Sequence, residues 1–295
     1  MTSRLRILSS ALVAAAAAAA QDSRPVEPGR AESAPATRAA TDPAALALFR
    51  KAAADQTPGD PAFVLRDFQA DLVATLYETD AQGVRKSNTV NLSEFWRAAR
   101  DGAPARLRRD MTNPADGKTT VEGFNGAFYW EKVGKAPARE LSGRGDREAV
   151  RRIDDELARI DELAKLFLLR NLVVDDARFE ALPACDPVVV KGRAFEVRGV
   201  RRSRPGEPAE DFFFADDDGA TLLVAWRRPA TPERPETRVH LGVHRVAGRG
   251  PARLRVPLFV ESWENGAPRF EAAARDAKDL KFNVDLEDRL FDPPR

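Results

Sequence analysis

Cysteine and histidine are scarce in this chain, whose 295 residues include one cysteine and two histidines. A single cysteine excludes an internal disulfide and any site that needs several thiolates, such as a cysteine-rich zinc or iron–sulfur centre. Neither sign of charge is in excess, because 47 lysines and arginines oppose 46 aspartates and glutamates. The net charge of +1 argues against a nucleic-acid binder held by bulk electrostatics. This composition is more typical of a binding protein than of an enzyme.

The N-terminus has the pattern of an export signal. Arg4 and Arg6 precede an apolar stretch without charge, from Ile7 to Ala20. A positive segment followed by an apolar one of this length predicts a cleavable signal peptide over residues 1–20. The stretch is shorter than the roughly 20 apolar residues of a membrane span, so an anchor is disfavoured; an alanine-rich helix or spacer is the alternative. No cysteine lies near the cleavage point, so we expect a periplasmic or otherwise exported chain that is not lipidated.

The mature chain divides into a leader and one folded domain. Residues 21–41 are rich in proline, alanine and serine and lack apolar periodicity, which predicts a disordered leader. Thr41 or Asp42 then caps a helix with Pro43 in its first turn, so we expect the folded domain over residues 42–295. Hydrophobic residues make up 43% of the chain, which is enough to bury at least one packed core.

From Phe68 onward apolar residues alternate with polar ones, which predicts β-strands. Asn125-Gly126, Asp218-Gly219 and Asn265-Gly266 are typical of tight hairpin turns. So many strands with so few helices predict an α+β domain built on a single large antiparallel sheet. The predicted strands cover residues 68–77, 90–96, 106–111, 119–123, 127–132, 194–201, 211–215, 221–227, 238–246, 253–264 and 268–275.

One long helix interrupts the strands, at about residues 146–172. Its apolar residues recur every three or four positions and form one stripe. Acid-before-base pairs four residues apart are expected to support it, at Glu148–Arg152, Asp155–Arg159 and Asp161–Lys165. The C-terminal part of this helix is apolar almost all round and must be buried on several sides. It is either a lid over a cavity or ordinary core packing.

No catalytic or metal-binding cluster is evident. His240 and His244 lie in a predicted strand, where four residues separate them by roughly 13 Å, too far to share one ion; we predict surface histidines. Residues 216–219 resemble part of a calcium loop, but Phe214 takes the first ligand position and no closing glutamate follows, so a hairpin turn is expected. Cys185 lies in a proline-bounded loop without cationic neighbours and is interpreted as a structural or incidental thiol.

The last forty residues carry the most specific pattern. A strand with a proline is followed by a hairpin turn, a closing strand with an asparagine, and a final phenylalanine before two prolines, at residues 255–257, 261–266, 282–286 and 289–294. This pattern resembles the C-terminus of the outer-membrane lipoprotein-sorting proteins, the LolA-like and LolB-like family. The order of elements also agrees, from signal peptide through central helical insertion, so the resemblance covers about residues 42–294.

The resemblance implies an unclosed β half-barrel covered by helices, with an apolar cavity between them that holds acyl chains. It also implies a lid-closing arginine, for which Arg100 is the best match together with Arg108, in a longer loop with a displaced proline. Each buried methylene contributes about 0.8 kcal/mol, so a partly enclosed acyl chain needs no polar contact. The residues predicted to line the cavity are Leu72, Leu76, Leu92, Leu163, Phe167, Leu222, Val224, Trp226, Val239 and Leu241.

Three functions are open at this point. The first is an exported, soluble, non-enzymatic carrier or sensor for acyl chains of a lipid or lipoprotein, with envelope membrane proteins as further partners. The second is an interaction or stress-sensing module of the same fold with a filled core. The third, an envelope hydrolase, is disfavoured because no nucleophile–base pair can be assembled. We expect a monomer without cofactor, metal or bound nucleic acid.

Overall fold

The computed structural model describes residues 41–60, 62–79, 85–232, 234–250 and 253–294. The predicted signal peptide lies outside the described residues, and so does the predicted leader as far as residue 40. Sixteen strands are found in the described residues, and every pair of them is antiparallel. In chain order they are β1 (Asp67–Thr79), β2 (Arg85–Arg97), β3 (Arg106–Thr112), β4 (Thr119–Phe124), β5 (Tyr129–Val133), β6 (Arg139–Glu140), β7 (Arg178–Ala181), β8 (Val188–Val190), β9 (Arg193–Phe195), β10 (Arg198–Arg204), β11 (Glu207–Asp217), β12 (Ala220–Arg228), β13 (Thr237–Ala247), β14 (Leu254–Glu264), β15 (Ala267–Ala273) and β16 (Leu280–Phe282).

Fourteen of these strands form one sheet. Their order is β6-β5-β4-β3-β2-β1-β15-β14-β13-β12-β11-β10-β7, and β16 pairs with the start of β1. The edge strands β6 and β7 are two and four residues long. They do not pair with each other in the described part of the chain, so the sheet stays open. The predicted α+β fold, with a single large antiparallel sheet that is not closed, is confirmed.

The described residues form two α-helices, α1 (Pro43–Gln56) and α2 (Arg147–Phe167), which lie against one face of the sheet. Helix α1 begins where predicted, because the Asp42 carboxylate accepts a hydrogen bond of 2.8 Å from a backbone N–H of the first turn. The helix predicted over residues 146–172 corresponds to α2 and a 3₁₀ turn, Leu169–Leu172, that continues it.

Helix α1 covers the half of the sheet that contains β7 and β10–β13. Its Phe49 is fully buried and packs against Phe179, Phe212 and Phe214, with ring centroids 4.9, 5.0 and 5.5 Å away. Tilted and edge-to-face contacts at these distances add to the stabilisation from burial itself. We call this group the α1 cluster. Its buried members are Ala45, Phe49, Ala52, Ala53, Leu166, Leu169, Leu172, Ala177, Phe179, Val200, Phe212, Phe214, Leu223, Trp226, Val239 and Leu241.

Helix α2 covers the other half of the same face. The α2 cluster comprises Phe63, Leu65, Phe68, Ala70, Trp96, Leu107, Leu141, Ile153, Ile160, Ala164, Leu168, Ala247, Leu254, Val256 and Phe282. A smaller apolar group lies on β1, β2 and β15, with half-buried neighbours on β1 and β3. This floor cluster comprises Ala74, Val90, Leu92, Phe270 and Ala272, next to Leu72, Leu76 and Met111.

The face opposite the helices carries a second layer. The β8–β9 hairpin packs there, and Gly242 permits the close approach, because a Cβ at that position would lie 2.7 Å from a methyl carbon of Val190. The hairpin cluster beneath it comprises Val190, Phe195, Ala215, Ala220, Leu222, Val224 and Phe259.

The C-terminal segment also crosses this opposite face. Tyr129, the residue before Trp130 in β5, points towards α2. Side chains alternate along a strand, so the Trp130 side chain points to the opposite face of the sheet. Its indole N–H donates a hydrogen bond of 2.9 Å to the carbonyl of Phe291, which is fully buried. The Asn283 side chain accepts a hydrogen bond from Arg66 N at 2.7 Å and donates one to the Val64 carbonyl at 2.7 Å. The asparagine and the final phenylalanine of the C-terminal pattern therefore both hold the chain end to the sheet.

The predicted strand 194–201 is wrong in its extent. The structure divides it into β9, which turns back onto β8, and β10, which enters the main sheet. Strands β7 and β8 lie between the predicted helix and the predicted strand 194–201, where no strand was predicted. These strands have only four and three residues, which is too short for a recognisable alternation of apolar and polar side chains.

Candidate functional site

The ten residues predicted to line one cavity lie in four separate apolar groups, so their role as a common lining stays a prediction. Four of them are brought together beneath α1. Leu163, Trp226, Val239 and Leu241 belong to or pack against the α1 cluster, Phe167 packs against the α2 cluster, Leu72, Leu76 and Leu92 lie in or beside the floor cluster, and Leu222 and Val224 lie in the hairpin cluster.

A β-bulge in β12 separates Leu222 and Val224 from Trp226. Strict alternation predicts that these three side chains share a face. In the structure no residue of β11 is paired with Val224, which is therefore an extra residue in β12. One extra residue reverses the side-chain direction on the two sides of a bulge. The predicted shared face is wrong, and Leu223 instead joins Trp226 beneath α1.

Charged side chains fill much of the space between α2 and β2–β4. Glu122 is fully buried and accepts hydrogen bonds from Arg109 at 3.2 Å and from Arg152 of α2 at 2.6 Å. Glu94 is only 3% exposed and accepts a hydrogen bond from Arg159 of α2 at 3.2 Å. Buried charges must be paired in this way, because an unpaired one costs several kcal/mol.

Glu156 of α2 connects the parts of this network. Its carboxylate accepts a hydrogen bond of 2.7 Å from Arg159 and lies 3.5 Å from the Arg109 guanidinium. Burial alone would raise the pKa of Glu156, but the attraction of these arginines outweighs it and lowers the pKa to about 2. Burial would likewise lower the pKa of Arg159, yet the negative charges of Glu156 and Glu94 raise it.

The network corrects two expectations about the long helix. Arg152 and Arg159 bind acidic residues of the strands, and Glu156, rather than the acids four positions before them. The interface beneath α2 is therefore held by ion pairs and by the α2 cluster.

A cavity of about 350 Å³ lies beside the first turns of α1. It is partly open to solvent, and its walls are α1, the loop after β7 and the start of β10. The loop approaches β10 closely at Gly199, where a Cβ would lie 2.7 Å from the Cys185 sulfur and 2.8 Å from Leu182. The lining residues are Ala44, Ala45, Leu48, Ala181, Leu182, Pro183, Ala184, Cys185, Val197, Arg198, Gly199 and Val200.

The polar side chains of this cavity are already engaged. The Cys185 thiol donates to the Pro183 carbonyl at 3.2 Å, and Arg198 donates to the Asp216 carboxylate at 2.7 Å. The remaining lining is hydrocarbon and backbone. A cavity lined in this way can bind an apolar group, whereas its lining offers no base next to the thiol for covalent chemistry.

Arg100 lies in the turn between β2 and β3. Its side chain is 63% exposed and pairs with Asp101 of the same turn at 2.8 Å. Arg108, the other match to the lid-closing arginine, donates to the Leu290 carbonyl at 3.1 Å and holds the C-terminal segment. A contact between Arg100 and the helices stays a prediction.

The two histidines are less exposed than predicted. His240 packs against Trp263, with ring centroids 6.2 Å apart, and its side chain is 15% exposed. His244 is half-buried, and burial lowers its pKa to about 4. Among the described side chains, no group of three or more histidines, cysteines, aspartates and glutamates is placed to hold a metal ion.

Sequence reasoning missed both the ionic network and the cavity. A signal for the network was present, because Glu94 and Arg109 occupy strand positions whose neighbours at i±2, such as Leu92 and Leu107, face the core. No local signal predicts the cavity, because its walls meet only through contacts between distant parts of the chain. Cys185, interpreted as a structural or incidental thiol, lies in the cavity wall.

The chain matches no protein-family model and none of the curated proteins. Among solved structures it matches a domain assigned to the outer membrane lipoprotein-sorting proteins, from Vibrio parahaemolyticus. The two are 12% identical over 84% of this chain and 96% of that one, with a TM-score of 0.42. It also matches a LolA-superfamily protein from Nitrosomonas europaea, at 11% identity over 86% and 98% of the two chains and a TM-score of 0.38.

Both structures are described as lipoprotein-sorting or LolA-superfamily proteins. A third match, to MucB in complex with MucA(peri), covers 81% of this chain and 99% of that chain at 12% identity and has a TM-score of 0.16. All three TM-scores are below 0.5, so the function proposed for this chain rests on its own residues.

None of the helices in the described part of the chain is long and apolar enough to cross a bilayer.

Proposed function

We propose that this chain is an exported, non-enzymatic protein that binds an acyl chain of a lipid or lipoprotein in the cavity beside α1. The observation that carries the proposal is the apolar lining of that cavity, which has a volume of about 350 Å³ and an opening to solvent. Ligand pockets typically have volumes of about 300–1,000 Å³ and are lined mostly by apolar side chains. A cavity at the small end of this range suits the end of a hydrocarbon chain.

Apolar burial supplies enough free energy for such binding. Each methylene removed from water contributes about 0.8 kcal/mol, so about ten of them would give gross stabilisation of about 8 kcal/mol before the cost of association. The lining would hold the acyl chain without a charged contact or a bound nucleotide. Release therefore needs only a better apolar site or a movement of the helices that cover the sheet.

The cavity borders the α1 cluster, which offers a route for a longer chain. Ala45 and Val200 belong to both. Beyond them lie four of the residues that the sequence predicts as lining. Movement of α1 would extend the cavity towards Leu163, Trp226, Val239 and Leu241.

Two alanines of α1 provide a matched pair of variants for the test. Ala44 and Ala47 are both exposed, but only Ala44 lines the cavity. Ala44→Trp should fill the cavity and weaken binding of a radiolabelled fatty acid at least about tenfold, because excluding two methylenes already costs that much. Ala47→Trp should bind like the wild type. Equal binding by both variants would place the site elsewhere, and no binding by the wild type would contradict acyl binding altogether.

Cys185 offers an independent readout. It is the only cysteine of the chain and lines the cavity, so a bound acyl chain should slow its reaction with a maleimide. Protection that appears with the wild type and is lost in Ala44→Trp would support the cavity as the site. A labelling rate that does not respond to saturating fatty acid would count against it.

A second candidate is an interaction module with a filled interior. The ionic network beneath α2 favours it, because paired charges in that half of the helix-covered face disfavour an apolar ligand there. Native mass spectrometry of the gently purified protein distinguishes the two. Bound lipid supports the carrier, whereas apo protein that retains a protein partner from the envelope supports the module.

A further inference from the structure

The hairpin of β13 and β14 carries a local excess of positive charge. No acidic residue occurs between Glu236 and Glu261, whereas arginines stand at positions 245, 249, 253 and 255 near the hairpin end. The turn Ala277–Asp279 contacts β13, and its surrounding segment, 275–279, has two bases and two acids. The excess at the hairpin end is therefore not compensated by this neighbouring segment.

These four arginines differ from most arginines of the described chain, which are bound to carboxylates. Arg245 donates only to the neighbouring His244 carbonyl, at 2.8 Å. Within the described residues, no ion pair involves Arg245, Arg249, Arg253 or Arg255. By contrast, the arginines near the adjacent β11–β12 turn form ion pairs within the protein. Arg193 pairs with Asp217, and Arg198 pairs with Asp216. The arginines at the β13–β14 hairpin end are therefore left without a carboxylate partner among the described residues.

Exposed apolar side chains lie next to this charge. Val243 of β13 is 46% exposed and Val189 of β8 is 54% exposed, and they flank the contact of Val190 with Gly242. Lys191, the residue after Val190, is also exposed. Basic side chains beside small exposed apolar ones suit the boundary between lipid headgroups and acyl chains.

We propose that the β13–β14 hairpin end docks this protein onto an anionic phospholipid surface. The exposed Arg245, Arg249 and Arg253 bind the headgroup phosphates, the half-buried Arg255 adds positive charge behind them, and Val189 and Val243 contact the outermost hydrocarbon. Each basic residue near an anionic membrane contributes a factor of about five in partitioning. Four of them give selective but reversible attachment, which differs from insertion of a spanning helix.

The test measures co-sedimentation with vesicles of phosphatidylcholine containing phosphatidylglycerol and with vesicles of phosphatidylcholine alone. The wild type should bind only the anionic vesicles. Arg249→Gln combined with Arg253→Gln should lower the partition coefficient about thirtyfold. The matched control is Arg50→Gln combined with Arg147→Gln, which removes the same charge from exposed positions of α1 and α2 and should bind like the wild type. All proteins are compared with the same N-terminus.

Salt provides a second readout that does not depend on folding of the variants. Raising salt from about 0.1 M to about 1 M shortens the screening length from about 10 to 3 Å, so the wild type should leave the vesicles. Equal loss in both double variants would overturn the hairpin as the docking site. Binding to neutral vesicles as tight as to anionic ones would overturn electrostatic docking. Absence of binding to both, with retention on an immobilised acidic polypeptide, would overturn the membrane as the partner.

Discussion

At position 123 the β3 and β4 backbones and the Trp130 ring come closer than a side chain allows. A Cβ on Gly123 would lie 2.5 Å from the Leu107 carbonyl oxygen and 2.9 Å from the Trp130 ring. Gly123→Ala should lower the free energy of unfolding by about 2 kcal/mol, because neither a backbone carbonyl nor a buried ring can move aside cheaply. Urea unfolding measures this difference. Gly145→Ala, where a Cβ would meet nothing within 4 Å, serves as the control and should be near neutral.

Glu156 makes the stability of the protein depend on pH in the acid range. Its pKa is lowered from 4.5 to about 2 in the folded protein, since the carboxylate form is bound by Arg109 and Arg159. A lowered folded pKa gives stability that is fully present above pH 4.5 and is lost as pH falls from 4.5 towards 2. The shift corresponds to a loss of about 3 kcal/mol.

This dependence can be measured by urea unfolding at several pH values between 5 and 2. Glu156→Gln should flatten the curve in that window, because it removes the titrating group. The exposed Glu148 of the same helix supplies the comparison, and Glu148→Gln should keep the wild-type slope. A Glu156→Gln protein with an unchanged slope would show that other carboxylates govern acid stability.

At the scale of elements, the C-terminal segment is fastened through one residue. Phe291 is fully buried, its carbonyl accepts a hydrogen bond from Trp130, and the Arg97 guanidinium lies 5.2 Å from its ring centroid. Phe291→Ala should lower the free energy of unfolding by about 3 kcal/mol and expose the segment to carboxypeptidase. Arg289→Ala, at a side chain that is 83% exposed, should leave both properties unchanged. Protease resistance equal to the wild type would contradict this role.

Long elements with a clear period were predictable, and irregular ones were not. The apolar stripe of α2 and the alternation of apolar and polar residues in β1, β13 and β14 predicted the bounds of these elements to within a few residues. The bulge at Val224 could not be predicted, because the extra residue leaves no mark in an apolar run such as Leu222–Trp226. Leu222 and Val224 were consequently assigned to the same face of β12 as Trp226, from which the bulge separates them. Strands as short as β8 depend on the sheet that they pack against.

At the scale of the whole molecule, the fold followed from the pattern of strands and helices, while the division of the helix-covered face did not. The resemblance implies one apolar cavity between the sheet and its helices. The structure separates a half beneath α2, where ion pairs accompany the α2 cluster, from an aromatic half beneath α1, with a cavity at the margin of the latter. That separation depends on whether Glu122 and Glu94 of the strands meet Arg152 and Arg159 of the helix. Such contacts between residues 30 and 65 positions apart are set by tertiary packing.

An open sheet has two edge strands whose outer backbone groups are unpaired. Because the edge strands β6 and β7 are short, they offer few backbone groups to a strand of another chain. A neighbouring copy that tried to extend the sheet would find two residues at one border and four at the other. Charged side chains stand on both borders, with Arg139 and Glu140 on one and Arg178 and Glu180 on the other. Strand-by-strand polymerisation into fibrils is therefore disfavoured. The protein can keep its half-barrel unclosed at high concentration without joining to itself.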